Sequence, residues 1–413
     1  MRRKSFMLIA GETSGDWLAA DLVRALRDEY ATAAEALTWD YQPLRASLEP
    51  YFFGAGGPQM AAAGVELAFD LTQHSVIGIS DVLKQYFKFR RLLHQLYKLA
   101  LEREPDVIIC IDFSGFNRRL AHAIKSHVRG RLDWFHDWNP KLVQYVSPQV
   151  WASREGRAYQ LANDFNLLLS IFPFEKEWYA RRVPKLRIDF VGHPMLDRYA
   201  GCDCRHPAAA PVKNPPVVVL LPGSRPSELA RHIPVLNGAL KILKSKFPGL
   251  RGVMVVPNET LSKQAKSMSL APEIELRVGN LPAALKEADV ALASTGTVTM
   301  ECAYCGVPTV AFYKTSWSTY QLGKQIVRVR HLAMPNLLAD EEIFPEFVQH
   351  TATAENIASS ALSLLQDENR RRKIKTRLGE IVASLGAPGA NRRAAREILS
   401  LLDTELKSMV PAL

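Results

Sequence analysis

The sequence lacks long apolar stretches. Its 413 residues contain no uninterrupted apolar run of about 18 residues, which argues against a membrane-spanning helix. The opening MRRKSFMLIAGETSGD reaches glycine and acidic residues too soon for a secretion signal. These absences predict a cytoplasmic protein.

Cysteine is also scarce, and its number is odd. The five cysteines are Cys110, Cys202, Cys204, Cys302 and Cys305. In a large chain without a secretion signal this count indicates reduced thiols rather than a disulfide framework. The Cys302 and Cys305 pair has C-x-x-C spacing, but it lies within a predicted helix and has no second pair at finger spacing. We therefore expect neither a metal nor a cofactor.

Positive charge, in contrast, is in excess. The formal net charge of +10 implies attraction to nucleic acid, an anionic membrane or phosphorylated substrates. The basic residues are scattered and no nucleic-acid-binding module is present, so a nucleic-acid partner is not expected. Phosphorylated substrates and an anionic membrane remain.

Short apolar runs alternate with helical stretches along most of the chain, which is the pattern of parallel βαβ units. This predicts an α/β fold. In the first half the candidate strands are 6–10, 51–55, 107–111, 142–146, 167–171 and 188–191. In the second half they are 217–221, 252–256, 274–278, 290–293 and 309–312.

The strand pattern is interrupted by a proline- and alanine-rich stretch at 201–216, which we interpret as a linker. It separates a Rossmann-like domain at 1–200 from a second Rossmann-like domain at 217–352. Residues 353–413 show helical periodicity and no further strand pattern, so a helical C-terminal segment is expected.

Two turns of the first domain follow apolar strands and carry candidate functional residues. Ser14 and Gly15 lie where the first strand turns into a helix, a place where backbone N–H groups bind ligands. Ser14 or Asp16 could equally cap that helix. The turn is not G-x-G-x-x-G, so a dinucleotide site is not favoured.

Asp112 is the most suggestive acid, because it ends the wholly apolar strand 107–111. An ionisable group at that position points into the ligand-binding edge, and burial can raise its pKa toward that of a general base. Alternatively, Asp112 caps the next helix or pairs with an arginine.

The second domain has comparable turns. Gly223 allows close backbone approach, Ser224 supplies a hydroxyl, and the Arg225 guanidinium matches a diphosphate. A later strand ends in a turn that opens the helix carrying Glu301, and the residues of that turn are Ser294, Gly296 and Thr297. Glu301 either complements the helix dipole or accepts hydrogen bonds from the ribose of a nucleotide.

Residues 82–100 form an amphipathic pattern that has no acidic residue. Aromatic and aliphatic side chains share one face, and lysines and arginines share the other. This composition suits a helix at an anionic membrane surface. It suits equally a helix packed on the core with a solvated basic face.

Several motifs, taken in order, resemble the lipid-A-disaccharide synthase family over nearly the whole chain. They include AGETSGD, GAGGPQMAAAG, VIGISDVL, PDVIICID followed by FN, YVSPQVWASR, FPFEKEWY, FVGHPMLD, LPGSR, STGTVTMECAYCGVPTVAFY and MPNLLADEEIFPEFVQ. The resemblance implies a GT-B fold, with two Rossmann-like domains facing across a cleft. It also implies a UDP-sugar-dependent hexosyltransferase.

The reaction implied by the resemblance joins UDP-2,3-diacylglucosamine to 2,3-diacylglucosamine 1-phosphate, a lipid X type acceptor. The product is a β-1,6 disaccharide made with inversion in lipid A biosynthesis, and UDP is released. By the same resemblance Asp112 is the essential acid, and Arg225, Glu301 and Asn336 bind the nucleotide. Acceptor contacts are expected at Ser14, Gly15, Asn117 and Trp151.

The resemblance further implies peripheral attachment to the cytoplasmic face of the inner membrane, and a homodimer is possible through the C-terminal helices. The chain departs from the family at Gly115, where a second acid often follows the first. It also has longer segments at 31–50 and 129–140, and WASR in place of W-A-W-R. A UDP-N-acetylglucosamine 2-epimerase with the same fold is the alternative.

Overall fold

The computed structural model describes residues 3–37, 49–74, 82–131, 137–207 and 211–402. Most of the VIGISDVL motif, the middle of each longer segment, part of the predicted linker and residues 403–413 lie outside the described residues. Contacts divide the chain into two compact units. Unit 1 comprises residues 1–198 and 385–413, and unit 2 comprises residues 199–384.

Unit 1 is built on seven strands and eight helices in its described part. The strands are β1 Ser5–Ala10, β2 Tyr51–Gly56, β3 Glu66–Asp70, β4 Val107–Ile111, β5 Lys141–Tyr145, β6 Leu167–Ser170 and β7 Arg187–Phe190. The helices are α1 Thr13–Leu37, α2 Pro58–Ala62, α3 Val82–Arg103, α4 Ser114–Arg131, α5 Arg157–Asp164, α6 Pro173–Arg182, α7 Met195–Arg198 and, after unit 2 in the chain, α16 Ala390–Ser400.

Unit 2 alternates strands and helices in the same way. Its strands are β8 Val217–Leu221, β9 Arg251–Val256, β10 Ile274–Val278, β11 Val290–Ser294, β12 Thr309–Tyr313 and β13 Glu346–Val348. Its helices are α8 Pro226–Lys246, α9 Glu259–Ser267, α10 Leu281–Glu287, α11 Thr297–Tyr304, α12 Trp317–Ile326, α13 Met334–Ala339, α14 Ala354–Gln366 and α15 Glu368–Ser384.

Both sheets are parallel and follow the Rossmann order. The first runs β3-β2-β1-β4-β5-β6-β7, and the second runs β10-β9-β8-β11-β12-β13. Strands β4 and β8 are buried throughout and consist only of apolar residues, because helices cover both faces of a parallel sheet. The strand order reverses at β1/β4 and at β8/β11, which is where open α/β sheets bind ligands. The predicted α/β fold is confirmed.

The helical C-terminal segment is also confirmed, and its helices are divided between the units. Helices α14 and α15 belong to unit 2, whereas α16 packs along α1 in unit 1. The Asp197 carboxylate accepts backbone N–H bonds at the start of α16, including one of 3.2 Å from Asn391. The Glu29 carboxylate forms ion pairs with Arg392 and, at 2.8 Å, with Arg396 on the same helix. These contacts fix α16 to unit 1.

Helix α3 contains the amphipathic stretch predicted at 82–100. Leu92, Leu96 and Ala100 are buried in the core of unit 1, while Lys88 and Arg91 are exposed. Phe87, near the start of the helix, is 63% exposed. The described part of α3 therefore packs on the core and keeps its basic face in solvent. No helix in the described ranges is both long enough and apolar enough to span a bilayer.

Candidate functional site

The first candidate edge lies in unit 1, where β1 and β4 are hydrogen-bonded neighbours. Their carboxyl ends place the start of α1 beside the start of α4. A Cβ atom on Gly15 would lie 3.8 Å from the Ile111 side chain, and one on Gly11 would clash at 2.3 Å with the Phe113 ring. Glycine is needed at position 11 because the aromatic ring occupies the space of a side chain.

Asp112 lies at this edge with an unusual backbone. Its φ is +47° and that of Phe113 is +42°, a left-handed conformation that costs non-glycine residues about 1 kcal/mol or more each. Two side-chain amides hold the Asp112 carbonyl oxygen, Asn117 Nδ2 at 2.9 Å and Gln144 Nε2 at 3.0 Å. The Asp112 N–H donates to the Tyr145 carbonyl at 2.9 Å. The half-buried carboxylate therefore projects from a backbone that is held on both sides.

The side chains of Asn117 and Gln144, which hold the Asp112 carbonyl, are themselves buried. Asn117 is 0% exposed and Gln144 is 1% exposed, and their side-chain oxygens have no hydrogen-bond partner among the described residues. The structure thus gives Asn117 a place under Asp112 rather than on the surface where an acceptor sugar would meet it. Gln144 was missed by the sequence analysis, because a polar residue inside an apolar strand has no motif around it.

Ser14 and Trp151 differ in burial, since Ser14 lies on the surface and Trp151 lies in the interior. The Ser14 side chain is exposed, at the first turn of α1, and hydrogen-bonds to none of the described residues. Asp16, the alternative helix cap, instead accepts the N–H groups of Gly57 and Met60 at 2.8 and 3.0 Å and so holds the start of α2. Trp151 is only 9% exposed.

The Trp151 indole N–H donates to Glu175 at 3.0 Å, and the Ser147 hydroxyl donates to the same carboxylate at 2.6 Å. Glu175 is fully buried at the first turn of α6. Burial raises its pKa to about 7, although the bonds from Ser147 and Trp151 act in the opposite direction. The sequence analysis missed this residue, because an acid in the first turn of a helix normally serves only as a cap.

The second candidate edge lies in unit 2, after β8. Gly223 has φ +113°, and a Cβ there would lie 2.3 Å from a Glu228 carboxylate oxygen. That carboxylate accepts the N–H groups of Ser224 at 2.9 Å and Arg225 at 3.2 Å. The N–H groups of Ser224 and Arg225 are therefore occupied by Glu228 in this structure.

Arg225 remains the candidate phosphate-binding residue of this turn. Its side chain is 56% exposed, and the guanidinium lies 3.8 Å from Glu228. At that distance and exposure the ion pair is weak, so an anion can compete with it for the guanidinium.

The neighbouring strand β11 leads into a more open turn. Ser294 is buried at the strand end, whereas Gly296 and Thr297 are exposed at the N-terminus of α11. Gly296 has φ +136°, and a Cβ there would meet nothing within 4 Å. The N-terminus of α11 therefore has room for an anion close to its backbone N–H groups.

Glu301 lies one turn further along α11 and is half-buried. Its carboxylate accepts the hydroxyl of Tyr199, a residue that is 1% exposed. Burial first, and the neighbouring Glu301 second, raise the pKa of the Tyr199 hydroxyl well above its usual range. One carboxylate oxygen is thus anchored. Binding of a ribose by Glu301 stays a prediction.

Asn336 is fully buried at the start of α13 and has four side-chain hydrogen bonds. Its Nδ2 donates to Phe344 O and to Glu346 Oε1, both at 2.7 Å. Its Oδ1 accepts from the N–H groups of Ile343 and Phe344 at 2.9 and 2.8 Å. An amide can make no more than these, so in this conformation no atom of the side chain is left for a nucleotide.

His232, on α8, is a further residue that sequence reasoning missed. It is 0% exposed, and burial lowers its pKa, which keeps the ring neutral. Nδ1 lies 2.6 Å from the Pro222 carbonyl, and Nε2 accepts the Lys314 N–H at 3.0 Å. The ring therefore ties the turn after β8 to the residue after β12.

The cysteines are all free thiols. The Sγ atoms of Cys204 and Cys305 lie 2.9 Å apart in the core of unit 2, and Cys302 is buried within α11. Within the described ranges, no group of three histidine, cysteine or acidic residues is arranged to hold a metal ion.

Two Rossmann-like units, each with a candidate ligand edge where its strand order reverses, define the GT-B class of nucleotide-sugar enzymes. Solved structures agree. The glycotransferase of kitacinnamycin aligns with a TM-score of 0.61 at 18% identity, over 97% of this chain and 99% of that one. The UDP-GlcNAc 2-epimerase of Neisseria meningitidis, bound to UDP-GlcNAc, aligns at 0.57 and 10% identity, over 96% and 100% of the two chains. At such identities the likeness concerns the fold alone.

Sequence comparison identifies the family. The sequence model of lipid-A-disaccharide synthetase matches residues 6–398. The lipid-A-disaccharide synthase of Geobacter metallireducens is 33% identical over 405 residues, which cover 97% of each chain. This chain therefore belongs to the lipid-A-disaccharide synthase family. It is a UDP-sugar glycosyltransferase of lipid A biosynthesis, and the epimerase alternative is not favoured.

Proposed function

We propose that the enzyme transfers the sugar of UDP-2,3-diacylglucosamine to the 6-hydroxyl of 2,3-diacylglucosamine 1-phosphate. The acceptor O6 forms a bond to the anomeric carbon as the bond from that carbon to the diphosphate breaks. Attack from the face opposite the leaving group inverts the centre and gives a β-1,6 disaccharide 1-phosphate and UDP. Membership of the family supports this choice of substrates.

Asp112 is the general base in this proposal. The observation that carries it is the left-handed backbone at Asp112, held by the buried amides of Asn117 and Gln144 at the reversal point of the sheet. Strained residues that their surroundings hold in place are concentrated at active sites. The carboxylate takes the proton of the acceptor hydroxyl as the new bond forms. Asn117 and Gln144 are positioning residues for it.

A single acid is sufficient in this scheme. Gly115, where the family often has a second acid, is exposed, and a Cβ there would meet nothing within 4 Å. The glycine is therefore not required by packing. The proposed mechanism assigns no step to that position.

Unit 2 holds the UDP moiety in the proposal. The Arg225 guanidinium and the open N-terminus of α11 neutralise the departing diphosphate, which lowers the barrier electrostatically. The Glu301 carboxylate accepts hydrogen bonds from the ribose. Asn336 acts indirectly, because its hydrogen bonds fix Glu346, which accepts the N–H groups of Leu332 and Ala333 at the start of α13.

We also propose that the enzyme works in the cytoplasm at the inner face of the inner membrane. The exposed Phe87, Lys88 and Arg91 of α3 support contact with an anionic lipid surface. A homodimer formed through the C-terminal helices stays a prediction.

The test is incubation of purified enzyme with both lipid sugars, followed by mass spectrometry for UDP and disaccharide. Asp112→Asn suits the comparison, because asparagine tolerates a left-handed backbone and removes only the base. We expect turnover to fall by about 10²- to 10⁴-fold. UDP affinity should be unchanged.

Glu104→Gln is a matched control, because Glu104 is an exposed acid with φ +42° that precedes β4, at the opposite end of the strand. Its turnover should equal that of the wild type. Near-normal turnover in Asp112→Asn would reject the base assignment. Conversion of UDP-N-acetylglucosamine to its 2-epimer, without disaccharide formation, would reject the proposed reaction altogether.

A further inference from the structure

Four arginines of unit 1 lie near one another on or beside the helices that follow β4 and β5. We call them the arginine cluster, and its members are Arg118, Arg119, Arg154 and Arg157. The first two follow the first turn of α4, the helix that begins two residues after Asp112. The other two lie at or just before the start of α5, in the chain that follows β5. Both helices start from the carboxyl edge of the sheet.

Few hydrogen bonds or ion pairs offset the positive charge of the arginine cluster. The guanidinium groups of Arg119, Arg154 and Arg157 make no hydrogen bond or ion pair with any other described residue, and that of Arg118 bonds only to the neutral amide oxygen of Gln160. Three unpaired guanidinium groups and one with a neutral partner therefore share one region.

The nearby acidic side chains have their closest cationic or histidine partners outside the arginine cluster. The Asp164 carboxylate is 3% exposed and lies 3.1 Å from His122 Nδ1. The Glu155 carboxylate lies 3.4 Å from Arg182. Neither acid makes an ion pair with the arginine cluster among the described residues, so the four positive charges outnumber the two nearby carboxylates.

The four guanidinium groups also repel one another electrostatically. Burial lowers the pKa of Arg118 and of Arg157, and the neighbouring arginines of the cluster lower both further, although Asp164 partly offsets this effect at Arg118. Neighbouring like charges repel one another, and a bound anion reduces that repulsion. Beside the cluster, Arg118 and Arg119 line a groove of about 320 Å³ between α4 and α5, whose walls also include Arg129, His122, Gln160 and the acidic Asp164.

We propose that the arginine cluster binds the phosphate monoester of the acceptor sugar. This rests on the proposed function, in which the acceptor carries a 1-phosphate. Guanidinium forks pair with phosphate oxygens in a bidentate manner, and a monoester offers three such oxygens and a charge near −2. Arg118 is four residues, or about 6 Å of helix rise, beyond the first residue of α4. A phosphorylated hexose whose hydroxyl meets Asp112 extends over that range.

The cluster makes the acceptor phosphate a specificity element. An acceptor without phosphate leaves the four guanidinium groups uncompensated and loses the charge-assisted bonds. The wild-type enzyme should therefore discriminate between phosphorylated and dephosphorylated acceptors through KM.

The test uses the triple variant Arg119→Ala, Arg154→Ala and Arg157→Ala in detergent, with both acceptors. We expect its KM for the phosphorylated acceptor to rise by about 100-fold, the effect of losing one or more charge-assisted contacts. Its preference over the dephosphorylated acceptor should disappear. UDP affinity and the KM for the donor should not change.

Two further variants keep the result interpretable. The double variant Arg119→Ala and Arg154→Ala changes only exposed residues, so it should fold normally and show a smaller shift in the same direction. Arg131→Ala is the matched control, because Arg131 is exposed at the last turn of the same helix and forms no ion pair with a described residue. Its KM values should equal those of the wild type.

An unchanged KM and an unchanged phosphate preference in the triple variant would overturn the proposal. A second arm measures binding to phosphatidylglycerol vesicles. Loss of vesicle binding with an unchanged KM in detergent would assign the cluster to lipid headgroup phosphates and would likewise overturn it. Failure of the proposed function is distinct, since the wild type would then form no disaccharide from either acceptor.

Discussion

Replacing Glu175 by glutamine should change how the stability of unit 1 depends on pH. Burial raises the pKa of this carboxyl from 4.5 to about 7 in the folded protein. The folded state therefore holds a proton that the unfolded chain has released between these two pH values. The stabilisation is fully present below pH 4.5 and is lost as the pH rises through about 7.

The size of the change in unfolding free energy follows from the pKa shift of Glu175. At about 1.4 kcal/mol per pH unit, a rise of this extent corresponds to a loss of about 3 kcal/mol of unfolding free energy. Glutamine cannot ionise, so Glu175→Gln lacks this loss. The difference in unfolding free energy, variant minus wild type, should increase by about 3 kcal/mol between pH 4.5 and 8 and stay constant above that. Lost hydrogen bonds to Ser147 and Trp151 add an offset that does not vary with pH.

The assay is urea unfolding of both proteins at several pH values from 4.5 to 8.5. His193, whose pKa burial lowers to about 4, adds stability above pH 6.5 that is lost as the pH falls through about 4. It is present in both proteins, so it cancels in the difference. Glu177→Gln is the matched control, because Glu177 lies on the same helix with its side chain 70% exposed. Parallel curves for Glu175→Gln and the wild type would refute the reasoning.

Three further perturbations test the remaining contacts. Arg225→Ala should weaken UDP binding by about tenfold or more, measured by calorimetry, whereas Lys246→Ala at the far end of α8 should not; equal affinities would remove Arg225 from the phosphate site. Asn336→Ala should lower the unfolding free energy of unit 2 by about 2–4 kcal/mol in urea, because four buried hydrogen bonds are lost; unchanged stability with weaker UDP binding would instead make it a ligand contact. Lys88→Glu with Arg91→Glu should reduce binding to phosphatidylglycerol vesicles by about tenfold or more, with phosphatidylcholine vesicles as the reference, and full retention would assign α3 to core packing alone.

The fold could be predicted from the sequence because central parallel strands are continuous apolar runs. Strands β4 and β8 begin and end at the residues that their apolar runs predict. Strands β3 and β13 were not predicted, because both are edge strands in which no residue is buried, whereas the edge strands β7 and β10 each contain a buried isoleucine and were predicted. An edge strand needs fewer apolar residues, so its sequence resembles that of a loop.

The positions of the candidate residues at strand ends were also predictable, since strand ends follow from the strands. Their contacts were not. Glu228 fills the turn at Gly223, and Asn336 uses all its hydrogen-bonding capacity within the protein. Such contacts depend on side-chain rotamers and on the local path of the backbone, and neither leaves a periodic signal in the sequence. The left-handed backbone at Asp112 is likewise visible only in three dimensions.

Helix α16 has a consequence for how the chain folds during synthesis. It belongs to unit 1, yet the whole of unit 2 is translated before it. Until residues 389–400 leave the ribosome, Glu29 on α1 and the Asp197 carboxylate lack the hydrogen-bonding partners that α16 supplies. Unit 2 can therefore be complete first, while the surface of α1 that α16 later covers stays exposed to solvent, which favours chaperone binding at that surface of the nascent chain.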